Sequence, residues 1–258
     1  RAARVHGDVR TADDVQPALD GVDAVVNLAG EPVSGRWTER RREAIRVSRV
    51  TGTRNLVAGM EAIGARPTQL VSVSAVGYYG DRGDDVLDET APAGSGFLAS
   101  VCVEWEHAAR EAEKLGIATT VTRLGVVLGR DGGALPPLFR AARLGLGGPL
   151  AGGRQWWPWV HVEDVVSVFL RALDEPHGET VNATAPSPVR QRELAASLGR
   201  VLRRPAVLPA PKLALRLALG GFESELLASR RVVPRRLLDH DFAFRFPELE
   251  PALRDLTA

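Results

Sequence analysis

Apolar positions in this chain fall into short β-branched runs, separated by longer stretches in which apolar and charged residues mix at helical spacing. Asp23-Ala24-Val25-Val26-Asn27-Leu28, between Gly21 and Gly30, is the first run. Leu70-Val71-Ser72-Val73-Ser74 is the second, and Thr119 to Leu124 the third. Runs of this kind fit strands of a parallel sheet covered on both faces. Between them, the stretch from about Thr38 to Met60 is charged early and then apolar at Ile45, Val47, Val50 and Leu56. Ala99 to Leu115 reads as a second helix, closed by Gly116. The alternation of strand and helix predicts an α/β fold built on a doubly wound parallel sheet.

The texture changes at Gly129. Gly132-Gly133, Pro136-Pro137, Gly145, Gly147-Gly148-Pro149 and Gly152-Gly153 punctuate a stretch that ends in Trp156-Trp157-Pro158-Trp159. A helix near Val162 to Leu173 follows, then a strand at Thr180-Val181-Asn182 and a helix near Gln191 to Leu202. The remainder, with Pro205, Pro209, Pro211, Pro234 and Pro247, reads as short helices and connectors. The expected division is a nucleotide-binding domain over 1–128 with a return strand near 179–183, and a substrate-side lobe over 129–258.

Composition narrows the classes. At 258 residues, with 45% apolar and 25% charged residues, the chain suits one large soluble domain or a domain with a small lobe. A net charge of +1 gives no reason to expect nucleic acid or an anionic membrane as partner. Cys102 is the single cysteine, so neither an internal disulfide nor a cysteine-based metal site is expected. No secretory signal and no spanning apolar run is evident, which makes the cytoplasm the default location.

Several pieces, in order, carry a resemblance. They are Asn27-Leu28-Ala29-Gly30-Glu31-Pro32, Ser74 to Asp81, Gly145-Leu146-Gly147-Gly148-Pro149, Gly153-Arg154-Gln155 with Trp159-Val160-His161, and the tail Pro234-Arg235-Arg236-Leu237 with Phe242-Ala243-Phe244. Together they resemble the epimerase family of extended or atypical short-chain dehydrogenases/reductases with an extra C-terminal domain. The resemblance implies a Rossmann-like fold and a bound nicotinamide dinucleotide, NADP(H) in preference to NAD(H). It also implies a TGxxGxxG turn between a first strand and helix, whose glycines admit the pyrophosphate to a helix N-terminus. No such turn is present. Gly145 to Gly148 is not it, because no strand precedes it and Pro149 interrupts the helix it would open. The expectation is a chain without the first β-α-β unit.

The same resemblance assigns roles. Asp8 and Val9 match the point of adenine contact, with a turn at a strand end as the equal alternative. Asn27, Ala29 and Gly30 lie where a strand leaves the sheet's carboxyl edge, where small residues let a cofactor pass. Asn55 matches an asparagine that bends its helix or holds a water, and a capping role is equally open. Ser74 matches the serine that hydrogen-bonds a substrate carbonyl while a tyrosine, its pKa lowered by a lysine, transfers the proton. The expected Tyr-x-x-x-Lys is missing: Phe97 or Leu98 takes the tyrosine's place and Val101 or Cys102 the lysine's. Tyr78 and Tyr79, the only tyrosines, are the substitute catalytic candidates. Glu104, Glu106 and His107 read as a polar helix face. Arg123, Leu124 and Gly125 match the nicotinamide side, although Arg123 fits a structural salt bridge as well. Trp159 and His161 are substrate-side candidates, with packing the stronger reading for the tryptophans.

Two functions remain open at this point. One is an NAD(P)-dependent oxidoreductase or epimerase acting on a small, carbohydrate-like substrate. The other is a dinucleotide-binding sensor or regulator that has lost catalysis, favoured by the missing Tyr-x-x-x-Lys. A third requirement, metal, has no support in the sequence.

Overall fold

The structure, a computed structural model, describes residues 6–63, 66–206 and 208–257. Its centre is a parallel sheet of four strands, β1 (Ala24–Asn27), β2 (Gln69–Ala75), β3 (Ala118–Leu124) and β4 (Thr180–Ala183), adjacent in that order. The fold is thus α/β and Rossmann-like. The β-branched residues that marked these runs are buried on both faces, including Val71, Thr119, Thr120, Val121 and Thr122.

Register positions the chemistry. Ser74 lies beside Arg123, and Arg123 beside Asn182. Registered neighbours in a parallel sheet share a face, and residues two apart along a strand share it too. Ser74, Arg123 and Asn182 therefore form one row near the carboxyl edge, with Ser72 and its neighbour Asn27 one step behind.

The first crossover is one long helical rod rather than a simple helix. Thr38 caps Glu39–Arg46 by accepting from the Arg41 amide at 3.2 Å. The rod widens into a π segment at Val47–Thr51 and continues as Gly52–Ala62. The second crossover carries a 3-10 turn at Val76–Tyr79, a long loop and the helix Phe97–Arg110, which tightens at Glu111–Leu115. Gly116, at φ 79°, ends it in the left-handed region that glycine adopts without strain. Leu56, Val57 and Met60 of the first rod meet Ala109 and Ala112 of the second over Leu70 and Ile117. Each fully buried aliphatic side chain there contributes roughly 1.5–3 kcal/mol.

A second core gathers the C-terminal half. Leu128, Leu135, Trp157, Trp159, Leu194, Leu198 and Leu253 pack together, joining helices Leu135–Arg143, Gln191–Leu202 and Leu249–Thr257. The helix Leu135–Arg143 is unexpected in a Pro/Gly-punctuated stretch. Pro136 and Pro137 sit in its first turn, where the missing amide breaks no helical hydrogen bond. The lobe is tied back to the sheet domain by short strands: Arg231–Val232 pairs with Val86–Leu87, and Val126–Leu128 with Trp159–His161. Among the described residues, no helix is long and apolar enough to cross a membrane.

Candidate functional site

The carboxyl ends of β2 and β3 open onto a cleft of about 500 Å³, a size suited to a small molecule. Ala75 and Gly77 from the end of β2, Leu124 and Gly125 from the end of β3, and Trp156 and Trp157 form one side. Leu226, Ala228 and Arg230 from the C-terminal segment close the other. Gly125 is required here: a Cβ at that position would stand 2.6 Å from the Pro158 carbonyl oxygen. The backbone of β3 can approach the tryptophan segment only without a side chain.

Directly behind the cleft wall lies a buried polar network. Arg123 donates from Nε to Glu106 Oε1 and from Nη2 to Oε2, both at 2.9 Å. Ser74 donates to the same Oε1 at 2.6 Å. Arg123 Nη1 donates to the Tyr79 hydroxyl at 2.9 Å, and that hydroxyl donates to Asn182 Oδ1 at 2.7 Å. Asn182 in turn gives its amide N–H to Glu89 Oε1. The Arg123 guanidinium also lies over the Tyr78 ring, 3.4 Å from its centroid. Burial alone would lower the Arg123 pKa, but the hydrogen bonds and charge of Glu106 outweigh it and raise it. Burial pushes the Tyr79 phenol up to about 12, against the pull of Arg123, so it stays protonated at neutral pH.

The end of β1 is held differently. Asn27 accepts from the Ala29 amide at 3.2 Å and donates to Thr53, which also accepts from the Trp105 indole. Two successive residues of the π segment then clamp the Glu31 peptide. Ser48 Oγ takes its N–H at 2.9 Å, and Arg49 Nη1 donates to its carbonyl at 2.9 Å. The widened turn places both side chains toward the same loop. Arg49 stacks 5.2 Å from the Trp105 ring and fills the space over Gly30, where a Cβ would meet its guanidinium at 3.1 Å. Among the described residues, no carboxylate lies within ion-pair distance of Arg49. Burial lowers its pKa.

The structure thus distributes the sequence candidates unevenly. Leu124 and Gly125 line the cleft. Ser74 and Tyr79 reach the same edge, yet both are buried and their hydroxyls are engaged by Glu106 and Asn182. Asn27, Ala29 and Gly30 form the turn at the end of β1. Asp8 makes a tight turn, accepting from the Arg10 amide and side chain, which hold its carboxyl down at about 2. Val9 packs on Gly52, and its carbonyl accepts from Asn55 Nδ2. The π segment lies at Val47–Thr51, ahead of Asn55, and Asn55 ties its helix to the turn at Val9.

Trp159 and His161 are buried behind the cleft. Trp159 belongs to the second core, and His161 Nδ1 caps its helix by accepting from the Glu163 amide. The tryptophans on the cleft wall are Trp156 and Trp157. Glu106, read as part of an exposed polar face, is 8% exposed. The sequence does carry its signal: Cys102, Trp105, Glu106 and Ala109 recur at helical spacing and put a carboxylate on the apolar stripe. Arg49 carried no such signal, because the π segment sets its direction.

Comparison with known proteins bears on this arrangement. The model of the NAD dependent epimerase/dehydratase family matches residues 1–184, and that of a domain of unknown function, DUF1731, matches residues 210–256. The chain is 42% identical over 239 residues to the chloroplastic "Epimerase family protein SDR39U1 homolog" of Arabidopsis thaliana, covering 92% of this chain and 69% of that protein. The solved structure of human epimerase family protein SDR39U1 (isoform 2) with NADPH superimposes with a TM-score of 0.88 at 33% identity, over 95% of this chain and 85% of that one. A structure described as the nucleoside-diphosphate sugar epimerase from Corynebacterium glutamicum gives a TM-score of 0.72 at 32% identity, over 94% of this chain and 47% of that one.

Proposed function

Because the chain belongs to the NAD dependent epimerase/dehydratase family, with a DUF1731 C-terminal domain, we propose that it is an NADP(H)-dependent oxidoreductase acting on a small molecule held in the cleft. The observation that carries this reading is the position of the cleft, at the carboxyl ends of β2 and β3 between the sheet and the C-terminal segment. Open α/β sheets bind their ligands there. NADP(H) is preferred over NAD(H) because the human relative's structure holds NADPH.

The residues present suit a nicotinamide dinucleotide at the end of β1. Gly30 lets the Arg49 guanidinium lie against the backbone, and among the described residues no carboxylate forms an ion pair with it, Glu31 being paired with Arg41 and acting on it only through its charge. A cation without a carboxylate next to a small-residue turn favours an anionic ligand. Bound there, the dinucleotide would supply or accept hydride. Ala29, Gly30 and Arg49 would hold it, and Leu124 and Gly125 would bound the substrate beside it.

The usual phenol–ammonium pair has no counterpart among residues Phe97 to Cys102. Leu98 contributes to the cleft wall, and the Cys102 thiol is pushed up to about 11 by burial. Ser74, Tyr79 and Arg123, all buried, and Tyr78, half-buried against the Arg123 guanidinium, enter this reading as the frame that fixes the ends of β2 and β3. A positioned acid or base is worth a factor of about 10² to 10⁴, so its absence slows turnover without forbidding hydride transfer. The test is to titrate the full-length protein with NADPH and NADH by calorimetry and follow cofactor oxidation against a carbonyl panel. Tight NADPH binding with turnover supports the reading; turnover with no dinucleotide bound would refute it.

A second reading rests on the engaged hydroxyls of Ser74 and Tyr79. With both hydroxyls held by other side chains, the second reading is a dinucleotide-binding sensor that has lost catalysis. Stoichiometric NADPH binding without turnover on any substrate would favour it.

A further inference from the structure

The walls of the cleft specify what it accepts. Leu98, Val126, Val127, Leu226 and Phe222 present hydrocarbon, and the Trp156 and Trp157 rings add to it. The polar groups among them are already engaged. Trp156 Nε1 donates to Asp84 and Trp157 Nε1 to the Leu226 carbonyl. Arg230 is the single cation of the wall. Its Nε donates to the Gly80 carbonyl, its Nη1 to the Glu225 carbonyl and its Nη2 to the Glu225 carboxylate at 2.5 Å. Arg230 and Glu225 thus cancel each other, with side chains only 11% and 12% exposed. Ser34, at the exposed rim, is the one polar side chain of the wall with no partner among the described residues.

A nucleoside diphosphate sugar brings two negative charges, several hydroxyls and a polar base. Against this wall its phosphates would lose water and find no available guanidinium, so their desolvation would go uncompensated. Binding it would require breaking the Arg230–Glu225 pair and leaving the carboxylate unpartnered. An uncharged hydrocarbon-rich molecule meets the wall with no such cost and gains from every apolar contact.

We propose that the cleft takes an uncharged, predominantly apolar ketone, aldehyde or corresponding alcohol, with its one polar group toward Ser34, and rejects nucleoside diphosphate sugars. The proposal rests on the oxidoreductase reading for the reaction, although the class of ligand follows from the wall alone. In the direction of reduction, hydride from the dinucleotide adds to the carbonyl carbon and a solvent-derived proton to its oxygen, giving the alcohol and the oxidised dinucleotide.

The test uses the full-length protein, first loaded with NADPH and monitored by calorimetry. A homologous series of straight-chain 2-ketones and UDP-glucose are then titrated separately, following the quench of tryptophan fluorescence. Affinity is expected to rise about threefold to fourfold per added methylene until the cleft is filled, with no response to UDP-glucose. Val33→Asp, which puts a charge on a partly exposed part of the wall, should flatten the series while leaving NADPH affinity unchanged. Saturable binding of UDP-glucose, or affinity indifferent to ketone length, would overturn the proposal. The two readings fail separately: absence of NADPH binding removes the oxidoreductase reading, while the ketone series in the dinucleotide-free protein still decides the ligand class.

Discussion

Arg123 and Glu106 meet in the interior as a two-pronged ion pair, both bonds at 2.9 Å, with side chains 5% and 9% exposed. Arg123 is the penultimate residue of β3 and Glu106 sits a turn from the end of helix Phe97–Arg110, so the pair joins sheet to helix directly behind the cleft. Removing one partner leaves an uncompensated buried charge, which typically costs about 3–5 kcal/mol. Glu106→Gln and Arg123→Met should each lower stability by about that amount in urea denaturation. The double variant Arg123→Met/Glu106→Leu should recover a large part of the loss, because both charges go together. Single variants within half a kcal/mol of wild type would show that the network does not hold the two elements.

Ser74 donates to the same carboxylate at 2.6 Å. A hydrogen bond to a charged group contributes about 1.5–3 kcal/mol. Ser74→Ala is therefore expected to lower the unfolding free energy by that order while leaving the NADPH dissociation constant unchanged. A serine that acted on the substrate itself would give the opposite pattern, full stability with kcat reduced by about 10² or more. Parallel denaturation and steady-state measurements separate the two.

Arg49 offers a second handle on the site. Its guanidinium covers Gly30 and has no carboxylate partner among the described residues, so its removal should be felt by an anionic ligand. Arg49→Met is expected to weaken NADPH binding by about 10- to 100-fold, the equivalent of one charge-assisted hydrogen bond. Arg49→Lys should restore part of it, since the charge returns without the planar fork. Calorimetry on both variants, with melting temperature as a control for the lost bond to Glu31, checks this. Unchanged affinity in Arg49→Met would remove Arg49 from the cofactor site.

Strands and helices with a local signal were legible in the sequence. β2 and β3 stand out because β-branched residues crowd a buried sheet, and Gln191–Leu202 because its apolar spacing is helical throughout. Leu124 and Gly125, expected at the nicotinamide side, stand out because they end a strand at the sheet's carboxyl edge, and the structure places both on the cleft wall. The Arg123–Glu106 pair was not, since its partners lie 17 residues apart on different elements and only tertiary packing joins them. The π segment was not legible either: Val47–Thr51 has ordinary helical composition, and the contacts that go with it join Ser48 and Arg49 to Glu31, 17 and 18 residues away. The helix Leu135–Arg143 was hidden by Pro136 and Pro137, which break helices except in the first turn.

His161 makes stability depend on pH in a definite direction. Its Nδ1 accepts from the Glu163 amide at 3.1 Å, which fixes the neutral tautomer with the proton on Nε2. Nε2 is buried without a hydrogen bond, 3.4 Å from Asp255 Oδ2. Burial lowers the pKa from its ordinary 6.5, and the charges of Asp255, Glu163 and Asp164 only partly oppose this. Protonating Nδ1 would also set an N–H against the Glu163 N–H and destroy the cap. Between the unfolded value and the lower native one, the unfolded chain binds more protons, so stability is retained at neutral pH and falls as pH drops below about 6.5. His161→Asn keeps a capping acceptor but removes the titration. The difference in unfolding free energy between wild type and His161→Asn, which cancels the exposed histidines common to both, should shift against wild type between pH 7 and pH 5. A difference that stays flat across that interval would show that His161 takes up its proton equally well in the folded and unfolded chains.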